Sequence, residues 1–314
     1  MDVDVELLER FEDQLNPSYP ELSGIPPRIL GYGEISTTFS LEAMPGIAFK
    51  RMPPFSSAAE INAYKSVVDR YCALLTDECG IDVAEYAFFD MKNRYDERIV
   101  YVAQPRLPET SIGNYILIHS TPRELEVMIN SVTDRLVRIW QRNRTHAQDV
   151  LVAIDGQISN WSFPSTDENS CLPVYFDITT PLFRVGGKEQ LDTEIFLKSC
   201  PSFLVWLVRW QFLQDVLDRY YDTRMVLVDM VANFHKEGRA DLIDTAILII
   251  NRLLEEKGVE DAISPLTRPE VDRYYKNDAF IWSLFLWLRR FDRMLKTKVL
   301  GRRYNFILPG KIKR

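Results

Sequence analysis

Residues 151–182 read LVAIDGQISNWSFPSTDENSCLPVYFDITTPL, and the fold turns on this stretch. Two short β-like runs flank a turn rich in Pro, Ser, Asp and Asn, the pattern of a hairpin with a long loop. In an antiparallel pair the start of one strand lies beside the end of the other. Asn160 opens the first run and Asp177 closes the second, so both are expected at one end of the hairpin. Asp155 precedes Asn160 by five residues, in the loop leading in. Two carboxylates and an amide, with no histidine or thiol, suit a hard cation such as Mg²⁺, which takes oxygen ligands.

Composition bounds what such a site could serve. A chain of 314 residues is long enough for one large domain or two lobes. Its 46% hydrophobic and 26% charged residues are ordinary for a globular protein. A formal charge of −7 argues against a general nucleic-acid binder, which carries a basic footprint. Cys72, Cys79, Cys171 and Cys200 form no CxxC pair and read as buried, reduced thiols. His119, His146 and His235 are too scattered for a zinc site. The N-terminal MDVDVELLERFEDQL is acidic and amphipathic, without the basic start and apolar core of a signal peptide. The strongest apolar run, Ala279 to Leu288, is ten residues, too short to span a bilayer. The expectation is a cytoplasmic protein with no transmembrane segment.

Upstream of the hairpin the chain reads as strands. After a short helix at 3–15, Ile29–Leu30, Ser36–Leu41 and Ile47–Met52 form a three-strand meander with a Gly31-Tyr-Gly33 turn. Lys50 lies inside the third strand. Ser56 or Ser57 can cap a helix carrying Glu60, Tyr64, Val67, Val68, Tyr71, Leu74 and Leu75 at spacings of three and four. Val83–Asp90 and Arg98–Gln104 read as two more strands, and Pro105 to Pro108 then breaks the pattern. Downstream, helices are expected from Thr121 to near His146, then around 190–199, 201–221, 223–237, 240–256 and 269–297. Five strands with one inserted helix, a break, and a helical half interrupted by one hairpin make an α+β chain of two lobes, 1–105 and 106–314.

Each candidate residue has a bland explanation taken alone. Gly-x-Gly between strands is usually a tight turn, although glycine also lets backbone approach a phosphate closely. A strand lysine normally points to solvent, and an acid in the first turn of a helix complements its dipole. Lys50 followed by Glu60 fits a second purpose, an ammonium held by a carboxylate for binding phosphates. Asp155, flanked by Ile154 and Gly156, has no evident structural duty beyond turn formation.

The order of these residues resembles the protein-kinase-like fold, and is most similar to its small-molecule branch, the aminoglycoside phosphotransferase and choline kinase group. The likeness covers roughly residues 25–185. LGYG (Leu30 to Gly33) resembles the nucleotide loop, with Gly31 and Gly33 as its glycines. Lys50 in IAFKRM resembles the phosphate-binding lysine and Glu60 in AAEINAY its helix partner. Asp155 and Asn160 in DGQISN resemble the catalytic loop, and Asp177 in VYFDITT the metal-binding Asp. The sequence departs from the family in having Ala153 where His or Tyr is usual, Ile154 before the Asp, and Ile178-Thr179 after Asp177.

The resemblance implies an ATP- and Mg²⁺-dependent phosphotransferase acting on a hydroxyl of a small molecule. Lys50 and Glu60 would position nucleotide phosphates, Asn160 and Asp177 would hold Mg²⁺, and Asp155 would take the acceptor's proton. The adenine would lie between the lobes against backbone near Gln104 to Leu107, with the Arg106 N–H as a donor because Pro105 has none. Two alternatives stay open: a catalytically inactive kinase-like scaffold, and a helical interaction protein whose candidate residues do not converge. Asp215, Asp218 and Asp222 are acceptor-site candidates without distinguishing context. The last 26 residues hold ten Lys and Arg against one Asp. They are open to reading as a solvated tail, an anionic-substrate site, or a weak contact to an anionic surface.

Overall fold

Along Met44–Arg51 the side chains alternate, Ile47, Phe49 and Arg51 buried on one side and Ala48 and Lys50 on the other. That period of two makes this strand the centre of a sheet with a different layer on each face. The computed structural model describes every residue except 34–35, 147–148, 165, 168–169, 193, 195–197, 199–212 and 310–314. The expected helix at 201–221 therefore lies partly outside the described residues, as does most of 190–199.

The sheet has five antiparallel strands in the order β1 (Arg28–Tyr32), β2 (Thr37–Leu41), β3 (Met44–Arg51), β6 (Arg98–Pro105), β5 (Ala87–Lys92). Gly31 and Tyr32 belong to β1 rather than to the turn expected there, and β1 carries a bulge between Ile29 and Gly31. The run expected as one strand from Val83 divides. β4 (Asp82–Val83) leaves the sheet to pair in parallel with β11 (Val174–Tyr175), and only Ala87 onward joins β6.

The outer face of the sheet packs against α1 (Val5–Gln14). Leu7, Leu8 and Phe11 of that helix meet Phe39, Phe49, Tyr101 and Ile307. Glu12 and Arg51 are buried within this layer as a two-pronged pair at 2.7 and 2.8 Å, and Tyr101 donates to the same carboxylate at 2.6 Å. The segment around residues 303–309 also packs here. Arg51 donates to the Asn305 carbonyl at 2.9 Å, and Tyr304, Ile307 and Leu308 are buried. That part of the basic C-terminal stretch is therefore not a solvated tail.

The inner face meets α2 (Ala58–Ala73), whose Ile61, Tyr64, Val68 and Tyr71 join one core with the helical half. That half contains α3 (Gly113–His119), which the sequence pattern did not predict, and α4 (Pro122–His146). Beyond the hairpin lie α5 (Leu213–Tyr221), α6 (Thr223–Lys236), α7 (Ile243–Glu256) and α8 (Arg268–Met294). The expected hairpin is three nested antiparallel pairs. β7 (Val150–Val152) pairs with β12 (Phe183–Val185), which turns back on β13 (Lys188–Glu189). Inside it, β8 (Trp161–Ser162) pairs with β11, and β9 (Thr166–Asp167) with β10 (Ser170–Cys171). Among the described residues, no helix is long and apolar enough to cross a membrane.

Candidate active site

Because β7 and β8 pair with different strands, the residues between them form a loop that carries Asp155, Gln157 and Asn160. Ala153 and Ile154 lead into it fully buried. The Ala153 N–H donates to the Leu182 carbonyl, and its own carbonyl accepts from the Tyr71 hydroxyl of α2 at 2.9 Å. At the position where the resembled family places His or Tyr, the polar contact thus comes from α2. Gly156 sits where a Cβ would lie 2.5 Å from Val226 Cγ1. Glycine at this position lets the loop press against α6.

The loop is tied by its own groups. Asp155 Oδ1 accepts from the Gln157 N–H at 3.1 Å, and Asn160 Nδ2 reaches the Asp155 carbonyl at 3.4 Å. The Phe176 N–H donates to the Asn160 carbonyl at 3.1 Å, which sets Asp177 beside Asn160 at one end of the β8–β11 pair. Asp177 accepts from Lys50 Nζ, which also donates to Thr179 Oγ1 at 3.2 Å. Tyr64 of α2 donates to the Thr179 carbonyl at 3.0 Å, fixing the same corner from the helix side.

Burial pushes the Asp155 carboxyl up to about 6, with the neighbouring Asp177 charge adding to the rise. Two carboxylates this close, with one ammonium between them and the sheet, are what a cation relieves. Asp177 and Asn160 supply carboxylate and amide oxygens of the kind Mg²⁺ prefers, so the residues fit such an ion. Among the described residues no cluster of three His, Cys, Asp or Glu is arranged as a metal cage. Mg²⁺ is usually held by one or two carboxylates together with substrate phosphates.

Glu60 does not pair with Lys50. Its carboxylate holds Lys198, which also donates to the Pro54 carbonyl at 3.0 Å, and it accepts from the Ser56 N–H at 2.6 Å. Burial would raise the Glu60 carboxyl, but these contacts bring it below the usual range. The Arg106 N–H donates to the Gly46 carbonyl at 2.8 Å and is thereby satisfied within the protein. Gln104 Nε2 is buried with no hydrogen-bond partner. In the β3–β6 register Gln104 faces Ala48 and Val102 faces Lys50, so Gln104 and Lys50 share the inner face. Gly31 has open space where a Cβ would stand, and the Gly33 N–H donates to the Ser36 carbonyl at 2.9 Å.

Behind the loop is a group that sequence reasoning missed. Asp229 of α6 is buried with Asn233, whose Nδ2 donates to its carbonyl at 2.8 Å. Burial pushes the Asp229 carboxyl up to about 8, helped by the charges of Asp155 and Asp278, while the Gln157 and Tyr274 side chains counteract the rise. Gln157 therefore joins the two acids, its N–H on Asp155 and its side chain on Asp229. The available signal was a lone Asp in the apolar run MVLVDMVANF. Of the other acids considered, Asp218 pairs with Arg184 at 2.5 Å and Asp222 caps α6. The Asp215 side chain lies outside the described residues.

A family of unknown function, DUF6206, matches this chain over residues 26–293. No curated protein matches it. Among solved structures, WaaP in complex with acyl carrier protein is similar over 76% of this chain and 89% of that one, at 9% identity and a TM-score of 0.32.

Proposed function

The chain belongs to that family of unknown function, and from its own residues we propose an ATP- and Mg²⁺-dependent phosphotransferase acting on a hydroxyl of a small molecule. One observation carries the proposal. Lys50 of the sheet, Asp155 and Asn160 of the loop, and Asp177 after β11 come from three separate segments and lie together around Asp177 and Asp155.

Each residue then has a task its surroundings suit. Lys50 reaches Asp177 from the inner face, where its ammonium can bind nucleotide phosphates. Asp177 and Asn160 would hold Mg²⁺, which when bound neutralises charge building on the transferring group. Asp155 takes the acceptor hydroxyl's proton, and a carboxylate with raised proton affinity is the stronger base for that step. Gln104, with its unpartnered amide on the same face as Lys50, is the better placed polar group for the base, since the Arg106 N–H is engaged.

A thermal-shift titration with Mg²⁺ and ATP, paired with labelled-phosphate transfer to a panel of hydroxylated small molecules, tests this. Wild type should bind nucleotide and transfer. Asp155→Ala should still bind and lose transfer by at least about a hundredfold. Absence of any nucleotide-dependent shift would sink the proposal.

The Glu60–Lys198 pair favours a second reading, a nucleotide-binding scaffold without catalysis, because Lys50 lacks its expected helix partner. Nucleotide binding without transfer to any acceptor, unchanged by Asp155→Ala, would select it.

A further inference from the structure

Helix α8 presents two unlike faces. Its acids lie inward or are paired. Asp292 is buried and meets Lys296 at 2.8 Å, Asp272 meets His235 and Arg268 at 2.8 and 2.9 Å, and Asp278 sits beside Asp229. Glu270 pairs with Arg224. The outward face carries Phe280, Leu284, Trp287 and Met294, with exposures of 69%, 46%, 61% and 41%. Steps of four, three and seven residues keep them on one side of the helix. Exposed Val299 and Leu300 follow. Basic residues bracket the stripe, with exposed Arg273 and Lys276 before it and exposed Lys298 and Arg302 after it.

A large apolar stripe left in water marks a contact surface. The charge around it says what kind. Residues 289–314 hold ten of the chain's 38 Lys and Arg but only one of its 45 Asp and Glu. An anionic plane would therefore attract this end and repel the acidic body, which sets the orientation of approach. Trp and Phe suit the boundary between headgroups and acyl chains. A helix with an apolar face and basic flanks lies in that plane.

A second copy fits less well. The three-and-four spacing lasts only about two heptads, short of what sustains a coiled coil, and bulky Phe and Trp stand where aliphatic knobs pack best. Both ends of the stripe are basic, so parallel and antiparallel pairing alike set like charges together.

We propose that this face of α8 docks on an anionic lipid surface. The proposal does not depend on the chemistry assigned to the cleft. Full-length protein is mixed with vesicles of phosphatidylcholine alone, or of phosphatidylcholine with phosphatidylglycerol, and sedimented. Binding is expected only to the anionic vesicles, and it should fall as salt rises. Leu284→Glu with Trp287→Glu should abolish it. Lys298→Glu with Arg302→Glu should weaken it by about tenfold or more. All four positions are exposed, and unchanged circular dichroism would show that the variants fold. The proposal is overturned if anionic vesicles bind no protein, or if either double variant binds like wild type. It is likewise overturned if Leu284 and Trp287 support a dimer in gel filtration while vesicles bind nothing, which would assign the face to a second copy.

Discussion

Lys50 Nζ donates to Asp177 Oδ1 across 127 positions of sequence, with Thr179 Oγ1 as a second acceptor. The ammonium sits where two carboxylates, Asp177 and Asp155, raise the local negative charge. Sheet and loop are therefore held together by the same charge that the proposed chemistry would use on phosphates.

Removing that charge should expose the strain. Lys50→Met leaves Asp177 facing Asp155 without a counterion and should cost about 1–3 kcal/mol in urea unfolding at neutral pH. Added Mg²⁺ should restore more stability to this variant than to wild type. Equal effects of Mg²⁺ on both proteins would count against Asp177 and Asn160 as its ligands.

The partner of Glu60 can be read by double-mutant cycles. Glu60→Ala and Lys198→Ala should couple, by about 1 kcal/mol or less because both groups keep some exposure. Glu60→Ala and Lys50→Ala should be additive in the nucleotide-free protein. Coupling of the second pair and not the first would refute the arrangement.

Asp229 makes stability depend on pH with a defined sign. Its carboxyl holds a proton to about pH 8 in the folded protein, whereas the unfolded chain releases it near pH 4. Unfolding between these values releases a proton, so stability falls as pH rises through the window. Asp229→Asn keeps the shape and removes the Asp229 contribution to that slope. It should be more stable than wild type at about pH 8 by a few kcal/mol, with a smaller difference at about pH 5. Because Asp155 shifts in the same direction, the slope becomes shallower without vanishing. Melting temperatures at both pH values would check this, and an identical slope in the variant would refute it.

Gly156→Ala should be costly for steric reasons alone. The new methyl would meet Val226 Cγ1 at 2.5 Å and Leu136 Cδ1 at 3.3 Å. A loss of about 1–3 kcal/mol is expected. Gly31→Ala, where nothing lies within 4 Å, should leave stability nearly unchanged, within about 1 kcal/mol. Similar unfolding curves for both variants would contradict the packing of the loop on α6.

What the sequence made legible follows physical range. Asn160 and Asp177 stand beside short β-like runs whose alternation is local, so their meeting at one end of the hairpin followed from strand pairing. The five-stranded sheet was legible for the same reason. Lys50 lies in that separate sheet, and only the order of residues along the chain pointed to it. Glu60 was misassigned a partner because its ion pair reaches Lys198, 138 positions away, and no local pattern encodes that contact. Arg106 followed the same rule, its N–H satisfied by Gly46 on a neighbouring strand. Asp229 was passed over because an amphipathic count treats one Asp in an apolar helix as an interruption. Only the loop packed behind it reveals what it meets.

The contact between Arg51 and the Asn305 carbonyl also bears on how the chain is made. Strands near Arg51 leave the ribosome about 250 positions before the residues that finish covering their outer face. Until then Thr37 lacks the Ile307 carbonyl at 3.3 Å, and the buried guanidinium lacks one of its acceptors. Although domains generally fold in order of synthesis, this sheet completes its packing only after residues 305–307 have been made. A product interrupted before residue 305 would leave this layer without the segment that finishes it.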